Sequence, residues 1–274
     1  MSDRLQRQRY EFKYWLEEAK ARRVRQFVQN HLRVDEFSSR QPDLSYPTLS
    51  LYLDSPTLQT YWQTLCSDKN RFKLRLRYYD DQPDSPVFFE IKRREDNVIL
   101  KQRAGVRKSA VRWLLTGHLP EPKHLLNPRD GNAVFALQRF CHHVHHLRAA
   151  PKMHVAYLRE AYEDPGDSGV RVTFDRRVES APQHHDALVA RSPNAHSVFG
   201  DIVVLELKFT MRFPNWFRAL VETFDCMQEG AAKYVTGILE RGEDWVIPPH
   251  SPDRVLEEFL DAKSYPGLFN TVRV

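Results

Sequence analysis

Strict alternation of charged and apolar residues is the feature that most constrains this chain. Phe72 to Tyr78 reads FKLRLRY, so a strand there carries Lys73, Arg75 and Arg77 on one face and Phe72, Leu74, Leu76 and Tyr78 on the other. The pattern recurs. Arg9 to Tyr14 sets Arg9, Glu11 and Lys13 against Tyr10, Phe12 and Tyr14, and Phe88 to Arg94 sets Glu90, Lys92 and Arg94 against Phe89 and Ile91. Val98 to Arg103 puts Lys101 and Arg103 together. Val170 to Asp175 opposes Arg171, Thr173 and Asp175 to Val170, Val172 and Phe174. Ile202 to Lys208 opposes Glu206 and Lys208 to Val203, Leu205 and Leu207. Two quieter strands, Thr48 to Asp54 and Met153 to Arg159, bring the count to about eight, a common size for a closed antiparallel barrel.

One charged strand face is ordinarily just a solvated face. Six such faces, rich in Arg and Lys and holding carboxylates at Glu11, Glu90 and Glu206, read differently. If the apolar sides face outward under helices, about ten cations converge in one lumen. Unpaired charges of one sign are too costly to bury dry, so the lumen must be wet and filled by counter-ions. An extended polyanion supplies the missing charge. Arginines offer forked donors to phosphate oxygens and lysines act as point charges, while carboxylates among them suit Mg²⁺ or Mn²⁺.

Helical patterns fit Trp15 to Leu32, Thr57 to Leu65, Ala133 to Leu147, Pro214 to Met227 and Pro252 to Ala262. The expected class is therefore α+β: a closed antiparallel β-barrel tunnel of about eight strands with helices packed outside. Loop signals between the elements are too short for a flexible interdomain linker, so residues 1–274 read as one domain. No stretch approaches the roughly 20 apolar residues of a membrane span, and the polar start lacks a signal-peptide core. Cys66, Cys141 and Cys226 have neither disulfide nor zinc spacing, which points to a reducing cytoplasm. The net charge of +5 is modest and spread along several segments, unlike the dense basic patch of a DNA-binding module.

In order along the chain, RYEFKYWL (9–16), LYLDSP (51–56), KLRLRYY (73–79), FFEIKRR (88–94), LKQR (100–103), YLREAY (157–162), RVTFD (171–175), LELKF (205–209) and AAKY (231–234) resemble the VTC domain. This is the polyphosphate-polymerase-like branch of the triphosphate tunnel metalloenzymes. The resemblance implies an eight-stranded tunnel that grips a triphosphate. In polymerase members the terminal phosphoryl of ATP passes to a growing polyphosphate chain; other branches hydrolyse triphosphates or cyclise ATP. Carried over by position, the phosphate-gripping residues are Lys13, Arg75, Arg77, Lys92, Lys101, Arg171 and Lys233, with Glu206 as the metal-binding carboxylate. Lys208, Arg103 and Arg159 are supporting cations. Among these, Arg75, Arg77, Lys92 and Lys101 are the expected catalytic set, holding the chain oxygens in line.

One departure stands out. Polymerase members tend to read SKY where this chain reads AKY, so Ala232 lacks a hydroxyl worth about 1 kcal/mol of phosphate contact. Polymerase subunits also sit beside inactive chains that resemble them. Three readings follow: a metal-dependent polyphosphate polymerase using ATP, a tri- or polyphosphate hydrolase, and a non-catalytic polyphosphate or nucleotide sensor. The expected partners are ATP or another triphosphate and polyphosphate, with room for a separate membrane subunit.

Other signals are set aside. His142 and His146 share a helical face, but no cysteine or acid sits at matching spacing, so a solvated face is the better account. Arg22, Arg23 and Arg25 follow Glu17 and Glu18 on a solvated helix, and Trp216 and Phe217 read as core. There is no GxxxxGK loop. No nucleic acid is expected, because the aromatics fall mainly opposite the basic faces.

Overall fold

The computed structural model describes residues 9–246 apart from 97, 165, 167, 168 and 211. The expected helix from Pro252 to Ala262 lies outside the described residues. Among the described residues ten strands are present: β1 (Arg9–Leu16), β2 (Arg33–Val34), β3 (Tyr46–Asp54), β4 (Asn70–Tyr78) and β5 (Val87–Glu95), then β6 (Val98–Val106), β7 (Ala150–Glu163), β8 (Arg171–Pro182), β9 (His196–Ser197) and β10 (Val203–Thr210). The α-helices are α1 (Glu18–Gln29), α2 (Glu36–Ser39), α3 (Gln59–Leu65), α4 (Val111–Leu115), α5 (Gly131–Leu147), α6 (Asn215–Thr223) and α7 (Lys233–Arg241).

The first helix starts later than the periodicity predicts. Leu16 continues the alternation of β1, pairs with Val203 and is buried, so the ladder claims Trp15 and Leu16 and the helix begins only after an extended Glu17. Pro214 likewise precedes α6 in extended geometry instead of opening its first turn, and the helix stops at Thr223.

The strands form one antiparallel sheet in the order β2-β7-β3-β4-β5-β6-β1-β10-β8-β9. β7 also pairs with β8, from Met153↔Pro182 to Glu163↔Arg171, so the sheet curls back on itself. The expected sealed barrel needs correction at one seam, because β6 and β1 share a single register pair, Arg9↔Ile99. The reason is local. Farther along β1, the segment before α7 takes the strand edge: Tyr14 bridges to Gln228, and the Glu229 amide donates to the Lys13 carbonyl at 2.9 Å.

Alternation decides which side each residue takes. The outward faces are apolar and are covered by helices. Leu74, Leu76, Phe89, Ile91 and Val106 pack with Leu137, Phe140 and Val144 of α5. Tyr14, Leu16, Leu205 and Leu207 pack with Val24 and Val28 of α1 and with Phe217 and Leu220 of α6. A third cluster joins Tyr61 of α3 to Met153 and Val155 and to Tyr234 and Ile238 of α7. Burying a side chain of this size contributes roughly 1.5–3 kcal/mol, so slipping any strand by one residue would forfeit several of these terms at once. That penalty fixes the charged residues on the inward face.

Candidate functional site

The eight strands of the curl each send side chains into one cavity of about 530 Å³. Its lining holds fourteen lysines and arginines against four glutamates (Glu11, Glu90, Glu206 and Glu229) among the described residues. All eleven residues singled out from the sequence reach it: Lys13, Arg75, Arg77, Lys92, Lys101, Arg103, Arg159, Arg171, Glu206, Lys208 and Lys233.

The carboxylates act as internal counter-ions. Glu90 is 1% exposed, and its Oε2 accepts from Arg75 Nε and Nη2 at 2.8 and 2.7 Å. Its Oε1 takes Lys101 Nζ at 2.6 Å, with Arg103 Nε at 3.3 Å. Burial alone would raise the Glu90 carboxyl, but Arg75, Lys101 and Arg77 hold it well below the usual carboxylate range. Lys92 Nζ donates to Glu11 Oε2 at 2.7 Å; Lys92 and Lys208 outweigh burial there and hold Glu11 at about 2.

Glu206 is the second hub. Lys208 Nζ lies 2.5 Å from Oε2 and Arg159 Nη2 3.2 Å, while Lys233 and Lys13 approach Oε1 at 3.4 and 3.5 Å. These four cations override the effect of burial and keep the carboxyl well below its ordinary value. Burial in turn pushes Lys208 down to about 7, against Glu206 and with help from Arg159, and pushes Lys101 down to about 8.

Lys233 arrives from a helix terminus, not a strand. Its neighbour Tyr234 donates from Oη to Asp54 Oδ2 at 2.9 Å. The same carboxylate accepts from the Thr60 and Tyr61 amides at the start of α3, so Asp54 ties two helix starts to the end of β3. Gly237 lets α7 lie close on β8, because a Cβ there would meet Ser180 Oγ at 2.6 Å.

Arg77 and Lys73 are held by contacts other than carboxylate ion pairs. Arg77 is 5% exposed, donating to Ser50 Oγ at 3.0 Å and lying 5.6 Å from the Tyr157 ring centre. Lys73 Nζ lies over the Tyr234 ring, 6.0 Å from its centre. Burial first, then Lys13 and Lys92, lowers its ammonium well below the ordinary lysine value.

The sequence reading overlooked several contributors. Lys73 was on a recognised face but not among the site residues. Asp175 and Asp35 orient Arg159 and Arg171 from beside the cavity, at 2.7 and 2.6 Å. Alternation had already put Asp175 on the Arg171 face, a usable signal. Tyr157 was also missed, although its ring faces Arg77, Arg159 and Lys233 at 5.6, 5.1 and 4.8 Å. Tyr14, Tyr78, Phe89 and Phe174 pack opposite the basic faces, as the aromatics were expected mainly to do, but Tyr46, Tyr52, Tyr79, Tyr157 and Tyr234 line the cavity.

Among the described residues no three His, Cys, Asp or Glu side chains are grouped to hold a metal. The His142 and His146 rings stack at 6.1 Å on α5 without a third ligand. Glu206 therefore suits a divalent ion only as one ligand of several. Mg²⁺ accepts such a site, one carboxylate being completed by phosphate oxygens and water.

The VTC domain family model matches residues 8–240. Vacuolar transporter chaperone complex subunit 2 of Schizosaccharomyces pombe is 24% identical over 181 residues, covering 60% of this chain and 24% of that protein. The chain thus spans about a quarter of that relative's length. A crystal structure from Bacillus halodurans, described as that of a candidate adenylate cyclase, superposes with a TM-score of 0.47 at 13% identity, covering 82% of this chain and 94% of that one.

Proposed function

The chain belongs to the VTC domain family, and from that premise we propose that it is a metal-dependent polyphosphate polymerase that transfers the terminal phosphoryl of ATP to a polyphosphate chain. The observation that carries the reading is the excess of cations over carboxylates in the cavity, with buried Arg77 held by the Ser50 hydroxyl and half-buried Lys73 against the Tyr234 ring instead of in ion pairs. Such an arrangement is costly when empty and is relieved by a polyanion.

Phosphoryl transfer asks the protein mainly for positioning and charge stabilisation. Arg75, Arg77, Lys92 and Lys101 hold the phosphate oxygens in line. Lys13, Arg103, Arg159, Arg171, Lys208 and Lys233 bind the remainder of the chain. An oxygen of the acceptor's terminal phosphate attacks the γ-phosphorus, the bond to the β-phosphate oxygen breaks, and ADP leaves with its electron pair. Incoming phosphates displace Glu90 and Glu206 from their cations, so these carboxylates hold the groups in place between turnovers. Mn²⁺ or Mg²⁺ at Glu206, when bound with the phosphates, would neutralise charge on the transferred group.

No helix among the described residues is long and apolar enough to cross a membrane. The relative's membership of a multi-subunit complex supports assembly with a separate membrane subunit, this chain working at the cytoplasmic side.

The test is incubation with γ-labelled ATP and Mn²⁺ or Mg²⁺, followed by separation of phosphate chains from free phosphate. A ladder of long labelled chains, absent for Glu206→Gln, supports the polymerase. Free phosphate alone moves the assignment to a hydrolase. No turnover with tight tripolyphosphate binding leaves a non-catalytic sensor.

A further inference from the structure

The two rims of the cavity differ in chemistry. Where β3 begins and β4 ends, Phe37 and Tyr79 lie parallel, with ring centres 6.4 Å apart and planes at 5°. Tyr46 sits 5.9 Å from Phe37 and 6.1 Å from Tyr79. Both tyrosines line the cavity. At the opposite strand ends the lining holds Arg71, Arg93 and Arg94, beside Phe72 and Ile99.

The aromatic rim is joined directly to the phosphate-gripping cations. Arg171 Nη2 donates to Tyr46 Oη at 3.4 Å, and Tyr46 stands opposite Arg159 in the β3–β7 ladder. A ligand touching these rings has its next atoms beside two guanidinium groups.

Packing does not account for Phe37. The short helix that carries it is anchored by polar contacts: Asp35 accepts from the Ser38 amide at 2.8 Å, and Ser38 Oγ accepts from the Ala161 amide at 3.0 Å. The Phe37 ring is left 58% exposed. An exposed ring parallel to a second one at the entrance of a phosphate-binding cavity suits a flat aromatic ligand, and an inorganic phosphate chain has no such group.

Building on the phosphate-chain reading above, we propose that Phe37, Tyr46 and Tyr79 form a nucleobase subsite. A nucleoside triphosphate enters with its base stacked on this rim and its phosphates directed past Arg171 and Arg159 into the cavity. The rim then separates nucleotide donors from inorganic chains, a distinction the cationic interior cannot make by itself.

Calorimetric titration of the full chain with ATP and, separately, with inorganic tripolyphosphate at fixed Mg²⁺ and salt tests this. In Phe37→Ala and Tyr79→Leu the Kd for ATP should rise about tenfold, while that for tripolyphosphate stays within about twofold of the unmodified protein. Tyr79→Phe, which keeps the ring, should retain ATP affinity. The melting temperature of Phe37→Ala should hold, since the ring is exposed. Unchanged ATP affinity in both ring-removing variants, or equal weakening of both ligands, would overturn the subsite and leave the phosphate reading standing. If the unmodified protein bound neither ligand, that underlying reading would fall and take the subsite with it.

Discussion

The Arg159 guanidinium meets the Asp175 carboxylate edge on, with Nε to Oδ1 and Nη2 to Oδ2 both at 2.7 Å. Asp175 is fully buried on β8 and also takes Lys233 Nζ at 2.7 Å. One carboxylate therefore fixes two cavity cations that come from different elements, β7 and the start of α7. A forked pair of this kind sets the plane of the guanidinium, so the remaining donors of Arg159 are aimed and not merely near.

Removing that carboxylate should cost both stability and aim. Asp175→Ala leaves Arg159 and Lys233 buried beside Glu206 alone, and breaking a buried pair costs about 3–5 kcal/mol. Urea denaturation should show a lower midpoint at unchanged slope, and tripolyphosphate affinity should fall with it. A midpoint like that of the unmodified protein would mean that Asp175 does not organise this corner.

Lys73 should behave oppositely. Burial, then Lys13 and Lys92, disfavour its ammonium form, so Lys73→Met removes a group the empty protein holds at a cost. The melting temperature should rise. Tripolyphosphate affinity should drop about tenfold, the worth of one charge-assisted contact. A variant that is both more stable and undiminished in binding would place Lys73 outside the phosphate path.

Much of this arrangement is legible in the sequence, for a definite reason. A period of two cannot be satisfied by any other element, so FKLRLRY and LELKF specify which face of β4 and β10 turns inward. The β6–β1 seam was not legible, because it depends on residues 228–229 competing for the edge of β1 from more than 200 positions away. Tyr52 and Tyr157 were hidden for another reason. A tyrosine counts as apolar in a hydropathy pattern, yet Arg75 Nη1 donates to Tyr52 Oη at 3.3 Å and three cations face the Tyr157 ring. Lys233 sits at the start of a helix, where no strand period could reveal it, and only the AAKY resemblance pointed there.

The lowered lysines set a pH dependence for binding. Lys208 at about 7 and Lys101 at about 8 are largely neutral in the free protein above those values. A polyanion favours their charged forms, so binding above pH 7 takes up protons, and affinity falls as pH rises, by up to about tenfold per unit for each lysine. Titrations at pH 8 in two buffers of different ionisation heat should report proton uptake, reduced in Lys208→Met. Equal uptake in that variant would show that Lys208 does not titrate with the ligand.

Ala232 links the sequence departure to a measurable gap in the fold. It is the N-cap of α7, and no side chain caps that helix, although the Ala232 carbonyl accepts the first helical bond from the Thr236 amide at 2.9 Å. The same residue lines the cavity. In Ala232→Ser the hydroxyl oxygen can accept from a free first-turn amide while its hydrogen is donated to a phosphate, so one substitution acts on both terms. Capping contributes about 1 kcal/mol to stability, and the phosphate contact a similar amount to binding. Both the melting temperature and the affinity for tripolyphosphate should therefore rise in Ala232→Ser, and ATP-dependent chain formation should rise with them if the helix start positions Lys233 for turnover. A rise in stability alone would assign the serine of related chains to capping. No change in either would show that the hydroxyl at this position is not what separates this chain from them.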